Sequence, residues 1–309
     1  MPTEILFNAP RRTALLALAA LGLGGTWQAH AAEAMAYRYW DWGKTHRDDY
    51  QVAALTLALE KTAPTYGPFS VTRVLDNMST SRVRREVRTG HRLNIHVGPW
   101  RDVEAGPLDE RSFLIDTPIL GGLLGYRRLL VRQDELAQFQ AITNEGQLKQ
   151  RKAGLGRGWE DVAVLRHNGY LVEDSGNMRT LLDMLVNRRF DYLPISVTEA
   201  GALLEQHPQQ ARKLVLVPNL VLYYPLPAVF YVSAAQPKLA RRVEQGLATA
   251  KRDGSLDELT ARYFQQEIKQ LKASGKRCFM LSNPMLPRSY AAAPTILNPG
   301  KASAANAAL

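Results

Sequence analysis

The stretch that decides the fold runs from position 37 to position 97 and reads YRYWDWGKTHRDDYQVAALTLALEKTAPTYGPFSVTRVLDNMSTSRVRREVRTGHRLNIHV. It alternates short apolar or aromatic runs with segments whose apolar residues recur at helical spacing. The runs at 37–42, 69–75 and 93–97 predict strands, and the segments at 48–62 and 79–88 predict helices. The order β-α-β-α-β builds a parallel sheet with helices on its faces, joined by right-handed connections.

A second α/β series begins near position 148 and is followed by a late strand and two amphipathic helices. The predicted strands are 152–155, 170–173, 190–194 and 228–232, and the predicted helices are 159–166, 178–187, 197–206, 238–251 and 255–271. If the late strand returns to the first sheet, the chain crosses between two lobes near 126–132 and near 225–228. Two crossovers make a hinge, and ligands bind in the cleft outside the carboxyl ends of the strands. A single larger doubly wound sheet is the alternative.

The first 31 residues predict an export signal. Arg11 and Arg12 form a positively charged start, the run at 14–25 is apolar or small, and Ala29-His30-Ala31 places the cleavage site after Ala31. The apolar run is about a dozen residues, whereas a helix that spans a membrane needs roughly 20. A single N-terminal anchor is the alternative. The paired arginines suit either the general secretory route or the twin-arginine route, so we expect the protein in the periplasm.

The chain is basic, with 39 Lys and Arg against 29 Asp and Glu and a net charge of +10. Removing the signal takes away two basic and one acidic side chain and leaves a charge of about +9. The charges are dispersed, and the densest basic cluster (Arg82, Arg84, Arg85 and Arg88) lies within one predicted helix. This pattern favours a solvated face over a nucleic-acid patch, so we expect no nucleic-acid partner. A basic surface still favours an anionic ligand.

Patterns of metal-binding or catalytic residues are absent from the sequence. The single cysteine, Cys278, excludes an internal disulfide and a thiolate metal cluster. The histidines show neither H-E-x-x-H nor paired spacing, so we expect no metal and no cofactor. Ser175 and Ser196 lack a nucleophile elbow, and no G-x-G-x-x-G fingerprint follows a predicted strand. We therefore predict no catalytic residue.

Eight motifs along the chain resemble one protein family when they are taken as a set. They are FLIDTPI (113–119), GLLGYR (122–127), GLGRGWED (154–161), NG (168–169), MLVNRRFDYLP (184–194), LYYP (222–225), AKRDGS (250–255) and LSNP (281–284). The set resembles a divergent branch of periplasmic solute-binding protein family 3, which includes the amino-acid receptors of ABC importers. The resemblance covers positions 37 to 287.

The resemblance implies an α/β, two-lobed type II periplasmic-binding-protein fold. Each lobe is a sheet flanked by helices, and two hinge crossovers join the lobes. Residues 32–126 and 228–287 are expected to form lobe 1, and residues 127–227 lobe 2. Residues 288–309, rich in Ala, Pro, Asn and Ser, are expected to form a loosely ordered tail.

Two departures from the family's pattern leave the ligand open. The family's amino-acid receptors carry an arginine that clamps the ligand carboxylate, and Arg101 is the nearby candidate here. They also carry an acid after the strand that matches 192–195, where this chain has Ser196, with Glu199 a turn later. A small polar ligand that is anionic or resembles an amino acid fits the remaining pattern.

The glycine-flanked turn before the helix at 159–166 is the most informative candidate site. Glycines let the backbone approach a ligand, and the N–H groups that open a helix favour an anion. Arg157 can add a bidentate contact to a carboxylate or phosphate, with Trp159 and Asp161 beside it. The alternative is a turn in which Trp159 packs against the sheet and Asp161 supports the helix start.

The remaining candidates for ligand binding follow strand ends or helix starts. In the first lobe they are Asp41, Trp42, Trp100 and Arg101, and in the second Arg179, Tyr192 and Glu199. Trp40 can instead belong to the core, because alternate residues of a strand face opposite sides.

These observations predict a periplasmic solute-binding protein that closes its cleft on a small molecule. It is expected to act as a monomer and to serve an ABC permease or a membrane sensor. One alternative is a periplasmic enzyme on the same fold, a dehydratase or isomerase with Asp161 or Glu199 as the base. The other is an interaction module whose cleft binds no ligand.

Overall fold

The computed structural model describes residues 34–43, 45–76, 78–273, 276–287 and 290. The predicted export signal and nearly all of the predicted tail lie outside these residues. Within them, no helix is both long enough and apolar enough to cross a membrane.

The first lobe is a sheet with the strand order β2-β1-β3-β10-β4. Its strands are β1 (Met35–Trp40), β2 (Phe69–Val74), β3 (Ile95–Pro99), β4 (Ser112–Ile115) and β10 (Ala228–Ser233). Strands β1, β2 and β3 are parallel, and β10 runs antiparallel to β3 and β4. The late strand therefore returns to the first sheet, as the topology argument predicted.

The helices of the first lobe cover its sheet. They are α1 (His46–Lys61), α2 (Ala63–Tyr66), α3 (Thr80–Thr89), α10 (Pro237–Arg252), α11 (Ser255–Tyr263) and α12 (Gln265–Lys272). Helix α1 begins at a capping box, in which Thr45 and Asp48 each satisfy the other's backbone N–H group. Helix α3 begins at Ser79 and ends at the left-handed Gly90.

The second lobe is a sheet with the strand order β11-β9-β5-β8-β6-β7. Its strands are β5 (Tyr126–Arg132), β6 (Lys152–Gly156), β7 (Leu171–Gly176), β8 (Tyr192–Ser196), β9 (Leu214–Tyr223) and β11 (Arg277–Met280). The helices packed on it are α4 (Leu136–Gln140), α5 (Glu145–Lys149), α6 (Glu160–His167), α7 (Leu181–Val186), α8 (Ala200–Gln206) and α9 (Pro208–Ala211). The architecture is the two-lobed α/β fold that the sequence predicted.

Two details correct the sequence prediction. Residues 277–280 were expected in lobe 1, but they form β11, which pairs in parallel with β9 of the second sheet. The helix expected over 255–271 breaks at Phe264, whose buried ring packs against Tyr50. The chain therefore makes a third crossing between the lobes after α12, in addition to the two predicted ones.

The two predicted crossovers touch each other at the hinge. The amide of Tyr224 donates to the carbonyl of Gly125, and the Tyr126 and Tyr223 rings lie 4.5 Å apart. A Cβ atom on Gly125 would lie 2.2 Å from the Tyr224 carbonyl oxygen, so only glycine fits here without a shift of the backbone. The two crossover segments therefore pack closely against each other where they join the lobes.

Candidate functional site

The cleft between the lobes encloses about 860 Å³, including the solvent at its mouth. Aromatic side chains and charged side chains both line it. The aromatic ones are Trp40, Trp42, Trp159 and Tyr231, and the charged ones are Arg47, Arg84, Arg101, Arg127, Glu160, Asp161 and Glu199. A concave site with apolar walls and a few converging polar groups is the usual form of a small-molecule site.

The wall that the first lobe contributes is cationic. Arg47 lies in the first turn of α1, Arg84 lies on α3, and Arg101 follows the end of β3. Strand β1 ends at Trp40, so the alternation of faces stops there. Trp40 and Trp42 both reach the cleft, and their rings lie 5.0 Å apart.

The wall of the second lobe is largely acidic. Glu160 and Asp161 occupy the first turn of α6, where the positive end of the helix dipole favours carboxylates. Glu199 precedes the first turn of α8. The start of α6 therefore already holds two carboxylates, and an anionic ligand group would meet like charge there.

Two ion pairs join these walls across the cleft. Arg47 pairs with Glu199, and their side chains are 14% and 16% exposed. Arg84 Nη2 lies 2.6 Å from Glu160 Oε1, with the two side chains 15% and 12% exposed. Burial raises the pKa of Glu160 even though Arg84 acts to lower it. The desolvation of this carboxyl therefore outweighs its attraction to the arginine.

A second group of charges forms the floor of the cleft. Arg127 Nη2 lies 2.7 Å from Asp161 Oδ1, and Arg127 Nε donates to the hydroxyl of Tyr224, which donates in turn to Asp161. Burial alone would lower the pKa of Arg127, but Asp161, Tyr224 and Glu199 raise it. Arg127 is therefore a fixed charge that ties the hinge strand β5 to α6.

Arg101 differs from the other cleft arginines. It is the only one of the four that has no carboxylate within 4 Å among the described residues. Its Nη2 group donates to the backbone carbonyl of Glu110 at 3.1 Å, and its guanidinium lies 5.2 Å from the centre of the Tyr231 ring. The Tyr231 hydroxyl accepts from the Arg101 amide and donates to the Pro99 carbonyl, which fixes this corner of the wall.

Five of the residues predicted from the sequence lie in the cleft lining: Trp42, Arg101, Trp159, Asp161 and Glu199. The indole of Trp159 covers Gly156, since a Cβ atom on that glycine would lie 2.3 Å from the ring. Trp159 also packs against two hydrophobic clusters, one of which extends through both lobes. It thus combines the two roles that the sequence left as alternatives, core packing and cleft lining.

The structure places the other five predicted residues outside the lining. Arg157 and Arg179 are exposed on the second lobe, and the Arg157 amide donates to Gly176 on the neighbouring strand. Tyr192 is buried in the sheet beside Phe139. Asp41 is 1% exposed and pairs with Arg73. Trp100 Nε1 donates to Asp116, the residue after β4, at 3.2 Å.

Sequence reasoning missed several cleft residues, namely Arg47, Arg84, Arg127, Glu160 and His96. Arg84 was included in a solvated basic face, and its helix neighbours Arg82 and Arg85 are indeed about half exposed. Of these residues, only Arg127 could have been suspected from the sequence, because it is the last residue of the motif GLLGYR (122–127) at the first crossover. Among the described residues no cluster of His, Cys, Asp or Glu has a metal-binding arrangement.

The two acids considered as a catalytic base are held by arginines. Asp161 pairs with Arg127, and Glu199 pairs with Arg47 and lies 3.9 Å from Arg127. Both carboxylates are therefore already engaged by arginine side chains of the protein.

No protein-family model matches the chain, and no curated protein matches it in sequence. Solved structures do match. The VFT2 domain of Bordetella pertussis BvgS, solved as a double mutant, is 16% identical with a TM-score of 0.52, and the match covers 74% of this chain and 93% of that one.

Two further structures are similar. A histidine kinase sensor domain with similarity to periplasmic binding proteins is 16% identical with a TM-score of 0.50, covering 75% of this chain and 96% of that one. A periplasmic binding protein of Salmonella typhimurium with high arginine specificity is 13% identical with a TM-score of 0.49, covering 75% and 100%. At these identities the likeness is one of fold. The match to the histidine kinase sensor domain, itself similar to periplasmic binding proteins, confirms the predicted resemblance at that level.

Proposed function

We propose that this protein is an exported solute-binding protein that captures a small acidic or amino-acid-like molecule in the cleft between its lobes. The ligand's acidic group binds Arg101, and the lobes close over it. The proposal rests above all on one observation, the presence in the cleft of a guanidinium that has no carboxylate partner among the described residues.

Charge arrangement supports this ligand class. The first lobe presents Arg101 beside Arg84, and burial together with Arg84 lowers the pKa of Arg101. An anion placed here would relieve that repulsion and form a charge-assisted hydrogen bond. A basic group on the same molecule would face Glu160 and Glu199 on the opposite wall.

Closure follows from where these groups lie. Arg101 belongs to the first lobe and the acids to the second, so one molecule reaches both only when the lobes approach each other. The Trp40, Trp42 and Trp159 side chains then exclude water, which strengthens each charge contact inside.

We propose further that the protein acts in the periplasm as a monomer and that an ABC permease or a membrane sensor responds to the closed form. The fold is shared with a histidine kinase sensor domain as well as with binding proteins, so it is compatible with a permease or a sensor as the partner.

A gene deletion distinguishes the permease from the sensor. Loss of ligand uptake identifies the importer, whereas unchanged uptake with an altered transcriptional response to the ligand identifies the sensor.

Thermal unfolding with matched probes tests the ligand class. The panel pairs L-alanine with L-alaninamide and succinate with succinamide, and adds L-glutamate, L-arginine, cadaverine and D-glucose. A bound ligand at 100 times its Kd adds about 2.7 kcal/mol to the free energy of unfolding. We expect acids to raise the melting temperature and their amides not to. Stabilisation by cadaverine or D-glucose but by no acid would contradict the proposal.

A further inference from the structure

His96 is a buried cleft residue with an unsatisfied ring nitrogen. It lies on β3, is 4% exposed and contributes to the lining. Its Nε2 atom is buried and has no hydrogen-bond partner among the described residues. A buried polar atom without a partner is costly, so a native structure usually pairs it with something.

The other ring nitrogen determines what His96 can bind. Nδ1 lies 3.2 Å from the Val97 carbonyl oxygen. A carbonyl oxygen only accepts, so Nδ1 carries the hydrogen and donates it. In the neutral ring Nε2 then carries a lone pair and can only accept. The ring stacks on Tyr231 with centroids 5.0 Å apart and an interplanar angle of 14°, which fixes its orientation.

The surroundings keep the ring neutral. Burial lowers the pKa of His96 to about 3, Arg84 and Arg101 act in the same direction, and the Val97 carbonyl opposes them. The Tyr231 hydroxyl, the remaining polar group of the stacked pair, is engaged with Pro99 and Arg101. At neutral pH the cleft wall therefore carries cations that suit an acid, and the buried Nε2 of His96 in the same wall is an acceptor without a partner among the described residues.

We propose that His96 is a specificity-determining residue, whose Nε2 accepts a hydrogen bond from an O–H or N–H group of the ligand. This rests on the proposed function, in which Arg101 binds the ligand's acid, and it narrows the ligand to a small acid with a hydroxyl or amino substituent. A keto acid is rejected because its carbonyl oxygen would place a lone pair against that of Nε2. Sites built to bond a ligand donor discriminate strongly against analogues that lack it.

Matched probes test the proposal. Calorimetric titrations compare L-glutamate with 2-oxoglutarate and L-lactate with pyruvate, pairs that differ in a donor against an acceptor. The variants are His96→Phe, which keeps a ring for stacking on Tyr231, and His91→Phe, a matched control at an exposed position. We expect the wild type and His91→Phe to prefer the donor-bearing member by about tenfold or more. His96→Phe should bring the ratio for L-lactate over pyruvate, two ions of equal charge, close to one. The L-glutamate pair should keep part of its preference, because the ammonium group of L-glutamate also faces Glu160 and Glu199.

The ratio of affinities, rather than affinity alone, distinguishes recognition from a structural role. A His96→Phe protein that keeps the wild-type ratio of L-lactate to pyruvate overturns the proposal, as does a wild type that binds these two equally. A wild type that binds none of the four probes contradicts the proposed acid ligand, and the role of His96 fails with it.

Nitrogen-15 NMR of histidine-labelled wild type supplies a test that does not depend on any variant folding. One histidine should remain neutral, with its hydrogen on Nδ1, at pH values where exposed histidines are protonated. Its Nε2 resonance should shift when the bound probe is L-glutamate or L-lactate. A cleft histidine with its hydrogen on Nε2 would overturn the proposal.

Discussion

Arg84 of the first lobe and Glu160 of the second form an ion pair across the cleft, with Nη2 and Oε1 2.6 Å apart. Arg84 also lies 3.5 Å from Glu110 of its own lobe, so its charge has a second carboxylate nearby. Burial nevertheless raises the pKa of Glu160, because the carboxyl loses more hydration than the arginine replaces. The short distance between these two side chains therefore does not mean that the ion pair stabilises the contact between the lobes.

The raised pKa of Glu160 leads to a prediction about pH. An acid whose pKa is raised by folding holds its proton more tightly in the folded protein. Its contribution to stability is present below the ordinary value of 4.5 and is lost as the pH rises through the raised value. Glu160→Gln mimics the protonated acid, so we expect its melting temperature at pH 7 to equal or exceed that of the wild type. The difference between the two should vanish near pH 4.

Melting curves between pH 4 and pH 8 provide the measurement. The control is Asp174→Asn, which breaks the exposed pair with Arg166 within the second lobe and should change stability by less than about 1 kcal/mol. A Glu160→Gln protein that is markedly less stable at pH 7 would show that the pair with Arg84 outweighs the desolvation of the carboxyl.

Arg47→Met should weaken closure. Arg47 and Glu199 are both largely buried, and the pair forms only when the lobes meet. Removing one partner of such a pair leaves the other charge poorly compensated, although Arg127 still lies 3.9 Å from Glu199. We expect a shift of about 1–3 kcal/mol toward the open form. Small-angle scattering should show a larger radius of gyration, and the matched Arg82→Met change at an exposed arginine should not. Equal radii in all three proteins would count against this role.

Local patterns predicted most of the fold because they report on single elements. The late strand predicted at 228–232 is observed as Ala228–Ser233, and it pairs with β3 and β4 of the first sheet. Strand β11 was missed because its four residues are too few to show a period. It exists through pairing with β9, more than fifty positions earlier in the chain.

The site was less predictable, for a physical reason. A run of charges on a helix does not indicate which one faces a second lobe, so Arg84 was grouped with its exposed neighbours. The turn at Arg157 was read as an anion site because it opens a helix. Glu160 and Asp161 already occupy that first turn, and the Arg157 side chain is exposed. Strand ends pointed to Trp42 and Arg101, which line the cleft, and also to Asp41 and Trp100, which do not.

The hinge should not tolerate a side chain at Gly125. Its Cβ atom would lie 2.2 Å from the Tyr224 carbonyl oxygen, which is backbone and cannot rotate away. We expect Gly125→Ala to cost about 1–3 kcal/mol of stability, as overpacking does elsewhere. Gly201→Ala is the control, because a Cβ atom there meets nothing within 4 Å and the residue lies in helix α8. It should be neutral or stabilise by up to about 1 kcal/mol. Urea unfolding measures both, and equal midpoints would refute the close approach.

Export can be tested on cells that express the whole gene. Osmotic shock should release a form whose N-terminal sequence begins near Ala32, because the small-x-small pattern ends at Ala31. Replacing Ala29 and Ala31 by bulky residues should cause the precursor to accumulate. Recovery of the intact chain, beginning at Met1, from the cytosol would contradict the proposed periplasmic location.

Arg101→Gln distinguishes between the two candidates for the anion-binding residue, Arg101 in the cleft and Arg157 in the turn before α6. Arg101 lines the cleft without a carboxylate partner, whereas Arg157 and Arg179 are exposed outside it. Loss of a charge-assisted contact to the ligand's acid should cost about 2–3 kcal/mol, or 30-fold or more in Kd. Arg157→Gln and Arg179→Gln should bind as the wild type does. Titration of all four proteins with the acid that stabilises the wild type gives the comparison. Tight binding by Arg101→Gln together with weak binding by Arg157→Gln would show that Arg157, in the turn before α6, binds the ligand's acidic group instead.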